Sequence, residues 1–302
     1  MAIPYVRNFT FEYGVAERLS PLITRVIADN PGPFTYTGTG VYIIGAGPSV
    51  CVIDPGPITD KHVAALDQAL EGKTVSHVLV THHHMDHSPL AAPLAAKHGC
   101  LVYGLGLPSV PHEDDETPLE AGDDLTFKPD VEIRDGHRFE GPDWTINTLH
   151  TPGHTSNHLC FALEEENCLF SGDHIMGWST SVISPPDGDM GDYLASLNRV
   201  LDQDFDIIRP THGAAITDVR TFVQAYIDHR MARDAQIIDA IGSGLGQISD
   251  IVASLYKDVD KRLHPAAAHS VLSHIIYMRQ TGRVRCDGPD GLRQTYSLTQ
   301  RP

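Results

Sequence analysis

Val75-Ser76-His77-Val78-Leu79-Val80-Thr81-His82-His83-His84-Met85-Asp86-His87-Ser88 decides how this chain is read. The valine-rich run 75–80 has the composition of a buried strand, and it opens into H-x-H-x-D-H. Side chains two apart on extended chain leave on the same side, so His82 and His84 converge on one ion. The chain then turns, and Asp86 and His87 face a second ion beside the first. Neutral imidazole and carboxylate are ligands for Zn²⁺, Fe²⁺ or Mn²⁺. Histidine tracts that bind metal by accident sit in low-complexity or terminal segments. This one lies between a strand and an Ala/Leu-rich helix pattern, so it reads as a metal site, with two ions.

Working outward, Val41–Ile44 and Val50–Ile53 read as paired strands around the turn Gly45–Ser49. Val63, Leu66 and Leu70 share one face of a helix over 60–71 that Gly72 stops. A short helix, Pro89–Lys97, and a strand, Leu101–Tyr103, follow the histidines. The order β-β-α-β-α-β implies a sheet covered by helices. Residues 105–124 form a polar, acidic loop, expected as a rim or lid. Residues 131–139, 143–149, 158–163 and 167–171 are expected as a second, antiparallel meander. Helix Asp192–Leu201 and strand Ile207–Arg209 complete it. Residues 1–215 thus read as two β-rich halves, each ending in helices: an α/β chain forming an αβ/βα four-layer sandwich. Residues 216–302 carry helices over 218–240, 248–256 and 265–281 and a hairpin over 283–298, the pattern of a winged-helix-like module.

The chain of 302 residues carries 22 basic and 39 acidic residues, a formal charge of −17. Non-specific nucleic-acid binding needs Lys and Arg to neutralise phosphates, so this balance opposes a polyanionic partner except at metal ions. The acidic runs His112–Glu116, Glu120–Asp124 and Glu164–Glu166 are expected as solvated loops. Five scattered cysteines with no C-x-x-C pair read as reduced thiols. The N-terminus lacks a secretory pattern and no apolar run approaches ~20 residues. The expectation is a cytoplasmic protein without membrane contact. Winged helices can bind DNA, but basic residues are sparse here, so the C-terminal module is expected to pack on the first domain or on another subunit, as in a homodimer.

Four ligands cannot fill two metal shells, and three later strand ends supply more. His154 stands in Thr151-Pro152-Gly153-His154-Thr155, Asp173 follows Ser171-Gly172, and His212 stands between Thr211 and Gly213. His82, His84 and His154 would hold one metal; Asp86, His87 and His212 the other. Asp173 would bridge two cations that otherwise repel. A hydroxide between them, formed because metal lowers the pKa of water to about 7, would be the nucleophile. Asp86 would be both ligand and proton acceptor.

H-x-H-x-D-H, T-P-G-H-T, S-G-D and T-H-G, in this order over about 1–215, resemble the metallo-β-lactamase superfamily. Asn30-Pro31-Gly32-Pro33-Phe34-Thr35, Glu164–Asn167, Tyr193–Leu197, Tyr226-Ile227-Asp228-His229-Arg230 and the C-terminal module resemble its β-lactamase-like protein 2 group. The resemblance implies two zinc ions and hydrolysis; a mitochondrial member of that group cuts single-stranded RNA. Two departures stand out: His83 where many relatives carry an aromatic, and Arg209-Pro210-Thr211-His212-Gly213 where Pro-Gly-His-Gly is common.

A dinuclear, zinc-dependent metallohydrolase attacking a carbonyl or a phosphodiester is therefore expected, with iron or manganese as alternative metals. Its substrate would be an ester, thioester or lactam, or single-stranded RNA. The 39 positions from Asp173 to His212 leave no room for the long insert of RNA-processing relatives. T-P-G-H-T-S is shared with glyoxalase-II-type thioesterases, but their basic C-terminal segment is not evident. The non-enzyme alternative is a partner-binding protein that metals merely stabilise. His83 reads as a spacer, His150 as a packed strand-end residue, and His174 as turned away from Asp173. The roles of Asp54, His158 and Ser179–Ser181 stay open.

Overall fold

A computed structural model describes residues 2–108 and 122–299. Seven strands, β1 (Glu17–Arg18), β2 (Ile23–Ile27), β3 (Gly40–Ile44), β4 (Ser49–Ile53), β5 (Thr74–Leu79), β6 (Leu101–Gly104) and β7 (Val131–Glu132), form one sheet in that spatial order. The pairs from β1 to β4 are antiparallel and those from β4 to β7 parallel. Helices α1 (Asp60–Ala69) and α2 (Ala91–His98) are the crossovers of the parallel half. The Thr59 hydroxyl caps α1 by accepting from the His62 amide at 3.2 Å, and Gly99, at φ +68°, closes α2.

The second sheet runs β12-β11-β10-β9-β8, from β8 (Arg138–Glu140), β9 (Thr145–His150), β10 (Leu159–Leu163), β11 (Cys168–Phe170) and β12 (Ile207–Arg209). Its pairs are antiparallel except β11 with β12, which the helix α3 (Met190–Asp202) connects. The expected single strand over 131–139 is corrected here. Gly136 at φ +74° turns the chain, so Val131–Glu132 joins the first sheet beside β6 and only Arg138–Glu140 enters the second.

Alternation along the strands builds three layers of core. In β3 and β4, Val41, Ile43, Val50 and Val52 face Leu66, Leu70 and Leu94 on the helices. Tyr42, Ile44, Cys51 and Ile53 face the other way, against Phe161, Leu163 and Phe170 of the second sheet. Cys160, Leu169 and Ile208 then cover Tyr193, Leu197 and Phe222 on the outer helices. Strands buried on both faces must be apolar at consecutive positions; these are. The result is the αβ/βα four-layer sandwich.

Helix α4 (Val219–Gly242) belongs to two cores. Phe222, Val223 and Tyr226 pack on the second sheet, whereas Ile237 and Ile241 pack with α5 (Ile248–Leu255), α6 (His264–Gln280) and the pair β13 (Val284–Arg285) and β14 (Ser297–Leu298). This helical module with its short wing is seated on the first domain, with α6 against α3. Among the described residues no helix is long and apolar enough to cross a membrane.

Candidate metal centre

Every loop carrying an expected ligand leaves the same edge of the two sheets. β5 delivers His82–His87, β9 delivers His154, β11 delivers Asp173 and β12 delivers His212. The structure brings all seven side chains together, each at most 8% exposed. The ligand atoms of His82, His84 and His154 lie within 4.8 Å of one another, as do those of Asp86, His87 and His212. His82, His87 and Asp173 make a third such set, so Asp173 and His82 link the two. Asp173 Oδ1 is 3.3 Å from His212 Nε2 and 3.6 Å from His87 Nε2; its Oδ2 is 4.0 Å from His154 Nε2. Asp86 Oδ2 stands 3.0 Å from His212 Nε2 and 3.4 Å from His87 Nε2.

Outer partners fix which ring nitrogen faces inward. His87 Nδ1 pairs with Asp54 Oδ2 at 2.9 Å, His154 Nδ1 with the Val182 carbonyl at 2.7 Å, and His212 Nδ1 with the Gly38 carbonyl at 3.1 Å. Each thereby presents Nε2 to the centre. His84 is reversed: Nε2 lies 3.2 Å from Asp123, and Nδ1 sits 2.9 Å from His82 Nε2. Asp54, buried at φ +46°, also accepts from the Thr81 amide and hydroxyl at 2.7 Å, so one carboxylate ties β4 to the start of the histidine loop. That settles its open role as a hydrogen-bonding one.

The other candidates fall as follows. His158 Nε2 accepts from the Asp173 amide at 3.2 Å, which positions the bridge candidate. His174 turns toward Tyr193, ring centroids 5.0 Å apart, and His150 ends β9 with Nε2 against the Ser156 carbonyl. His83 turns from the seven but is buried, with Nδ1 3.0 Å from Asn157 Oδ1 and Nε2 3.2 Å from Asp123. Sequence reasoning missed Asp123 and Asp124, reading Glu120–Asp124 as a solvated loop. That is corrected: Asp123 contacts two histidines, and buried Asp124 accepts from the Ser88 hydroxyl at 2.8 Å. Glu166 likewise is tied down, accepting from the Ser20 hydroxyl and the Leu22 amide. Residues 109–121, with His112 and most of the expected rim, lie outside the described residues.

The electrostatics couple the carboxylates to the imidazoles. Burial and the neighbouring imidazoles His87, His84 and His154 push His82 well below the usual range, which keeps it a neutral donor. Burial works against ionisation of Asp86 and Asp173, but His87 and His212 beside them hold both carboxyls low. The same pairs win over burial at the imidazoles: His87 is raised and His212 is pushed up to about 10. Among the described residues, His87 Nε2 and Asp173 Oδ1 are buried with no hydrogen-bond partner. Buried polar atoms are nearly always partnered, and ring nitrogens of His82 and His84 set 2.9 Å apart beside unpartnered carboxylate and imidazole atoms suit a shared metal. The residues present form a His/Asp cluster able to hold metal.

A cavity of about 140 Å³ opens on the centre. His84, Asp86, His154, Asp173 and His212 form its floor; Pro33, Phe34, Met176, Trp178 and Val182 form an apolar wall, edged by Ser179 and Thr180. Tyr36 stacks on Trp178 at 4.6 Å and 7°, which stiffens that wall.

Comparison with known proteins agrees with this geometry. Residues 37–212 match the family model described as metallo-beta-lactamase superfamily, and residues 248–291 match a beta-lactamase associated winged helix domain. An atrochrysone carboxyl ACP thioesterase from Aspergillus chevalieri is 31% identical over 86% of this chain and 81% of its own. A beta-lactamase-like protein 2 homolog from Drosophila melanogaster is 31% identical over 89% of this chain and 91% of its own. Among solved structures, a beta-lactamase domain protein from Burkholderia ambifaria superposes with a TM-score of 0.78 at 20% identity, covering 98% of this chain and 97% of its own.

Proposed function

Because the chain belongs to the metallo-beta-lactamase superfamily, we propose that its strand-end cluster holds two divalent ions, zinc first and iron or manganese as alternatives, and hydrolyses a carbonyl substrate of the thioester or ester class. One observation carries this: two three-ligand sets, joined through Asp173, meet beneath a cavity that His84, Asp86, His154, Asp173 and His212 floor and whose wall is apolar. Bound there, the ions supply a Lewis acid and a water that ionises near pH 7.

The chain's own residues do the rest. His82, His84 and His154 would serve one position, Asp86, His87 and His212 the other, with Asp173 between. Asp86 Oδ2, 3.0 Å from His212 on the cavity floor, accepts the proton given up as turnover begins. Phe34, Met176, Trp178 and Val182 hold the acyl part against the wall and exclude water, and Ser179 and Thr180 give that wall a polar edge.

A carbonyl substrate is favoured over RNA for two reasons. Among the described residues no Lys or Arg lines the cavity, and the chain's charge of −17 repels a polyanion. The thioesterase names of relatives point the same way. The deciding experiment offers the metal-loaded protein an aromatic acyl thioester, a chromogenic lactam and a single-stranded RNA, with Asp86→Ala as control. Thioester hydrolysis that falls ~10²-fold or more in Asp86→Ala is expected. RNA cleavage without thioester turnover would replace the carbonyl reading with the nuclease one. No turnover at all, with metal-independent capture of a protein partner, would favour the non-enzyme reading.

A further inference from the structure

Loop 174–184, between β11 and α3, does two things for the centre. It contributes Met176, Trp178, Ser179, Thr180 and Val182 to the cavity, and its Val182 carbonyl accepts the Nδ1 proton of His154 at 2.7 Å. The loop has no helix or strand of its own, so its shape is imposed from outside.

Helix α4 imposes it. The Tyr226 hydroxyl accepts from the Met176 amide at 3.2 Å and shares its proton between the carbonyls of Met176 and Ser179. One helical turn on, Arg230 donates from Nη2 to the Ser181 carbonyl at 2.5 Å. From α6, His269 Nδ1 lies 3.3 Å from the Ser184 hydroxyl. Tyr226 is 0% and Arg230 4% exposed. The guanidinium lies 5.2 Å over the Tyr193 ring, and among the described residues no carboxylate pairs with it. A buried cation without a counter-ion is a poor device for packing, since an apolar side chain fills such a space at lower cost. What Arg230 does uniquely is hold the carbonyl next to the one that orients His154.

We propose that Arg230, assisted by Tyr226, is a positioning residue: it locks Ser181–Val182, so that the Val182 carbonyl keeps the His154 ring in its ligand orientation and the cavity wall stays in register. Helix α4 is thereby mechanically part of the metal centre, although it supplies no ligand. This rests on the metal-centre reading above.

The test measures metal affinity, by competition with a chromophoric chelator, and the melting temperature of the metal-free protein. It compares the parent chain with Arg230→Met, Arg230→Lys, Tyr226→Phe and Asp234→Asn. Asp234 stands one turn beyond Arg230, pairs with His274 at 2.6 Å and Arg283 at 2.8 Å, and does not touch the loop. Arg230→Met and Tyr226→Phe are expected to weaken zinc binding about 10- to 100-fold and to raise KM for a thioester. Arg230→Lys should recover part of the loss, while Asp234→Asn lowers the melting temperature with zinc affinity unchanged. Tyr226→Phe keeps the test decisive should Arg230→Met not fold. Parent-like zinc affinity in Arg230→Met or Tyr226→Phe overturns the inference, as does an equal loss in Asp234→Asn. A parent chain that binds no zinc instead overturns the metal-centre reading beneath it.

Discussion

Each imidazole of the centre presents one nitrogen inward because something outside holds the other. For His87 that is Asp54, 33 positions away in the chain; for His84 it is Asp123. The ligands themselves are legible in sequence, since polar residues directly after apolar strands have few other reasons to be there. Asp54 stood there as a candidate whose role was open and Asp123 was missed, because what makes each an orienting group is a partner distant in sequence. Asn tolerates the left-handed backbone at position 54, so Asp54→Asn isolates the charge. We expect it to cut metal affinity by about 10- to 100-fold, as read by the chelator competition. Protonation gives a second prediction. Without metal, the carboxylates Asp86 and Asp173 raise the pKa values of His87 and His212, that of His212 to about 10, which favours their protonated forms. Metal must displace those protons, and its affinity therefore falls as pH falls. Calorimetry in buffers of different ionisation enthalpy should show net proton release on metal binding at pH 7; no release would contradict the raised pKa values.

Among the elements, the motif glycines are explained by what stands next to them. A Cβ on Gly153, at φ +138°, would come 2.4 Å from the Tyr193 Cα, so this glycine lets the His154 turn lie directly on α3. Gly153→Ala should cost at least about 1–3 kcal/mol and lower the melting temperature, whereas Gly47→Ala, with nothing within 4 Å, should leave it unchanged. The strand after Ser49 and the histidine-bearing strand were legible from their apolar runs. Two features were not. Ile23–Ile27 is interrupted by Thr24 and Arg25, and Arg25 is buried by its pairing with Glu17 at 2.6 Å, a contact no local pattern announces. The division of 131–139 between two sheets depends on β6 lying alongside Val131, which is tertiary information.

For the molecule as a whole, two sheets buried on both faces were readable as alternating β and α patterns, and the four-layer class followed from them. The unit boundary is a different matter. We propose units of 1–215 and 216–302, yet α4 gives Phe222, Val223 and Tyr226 to the second sheet's outer core. A chain ending at residue 215 should therefore expose that core and bind a hydrophobic dye, whereas the full chain should not. The central claim, that seven side chains hold two ions on which hydrolysis depends, is tested most directly by reconstitution. Metal-free protein is titrated with zinc while bound metal and thioester turnover are followed together, beside Asp173→Ala. About two equivalents are expected to bind, with turnover appearing only with metal and both affinity and turnover lost in Asp173→Ala. Undiminished turnover by metal-free protein, or a parent chain that retains no zinc, would contradict that claim.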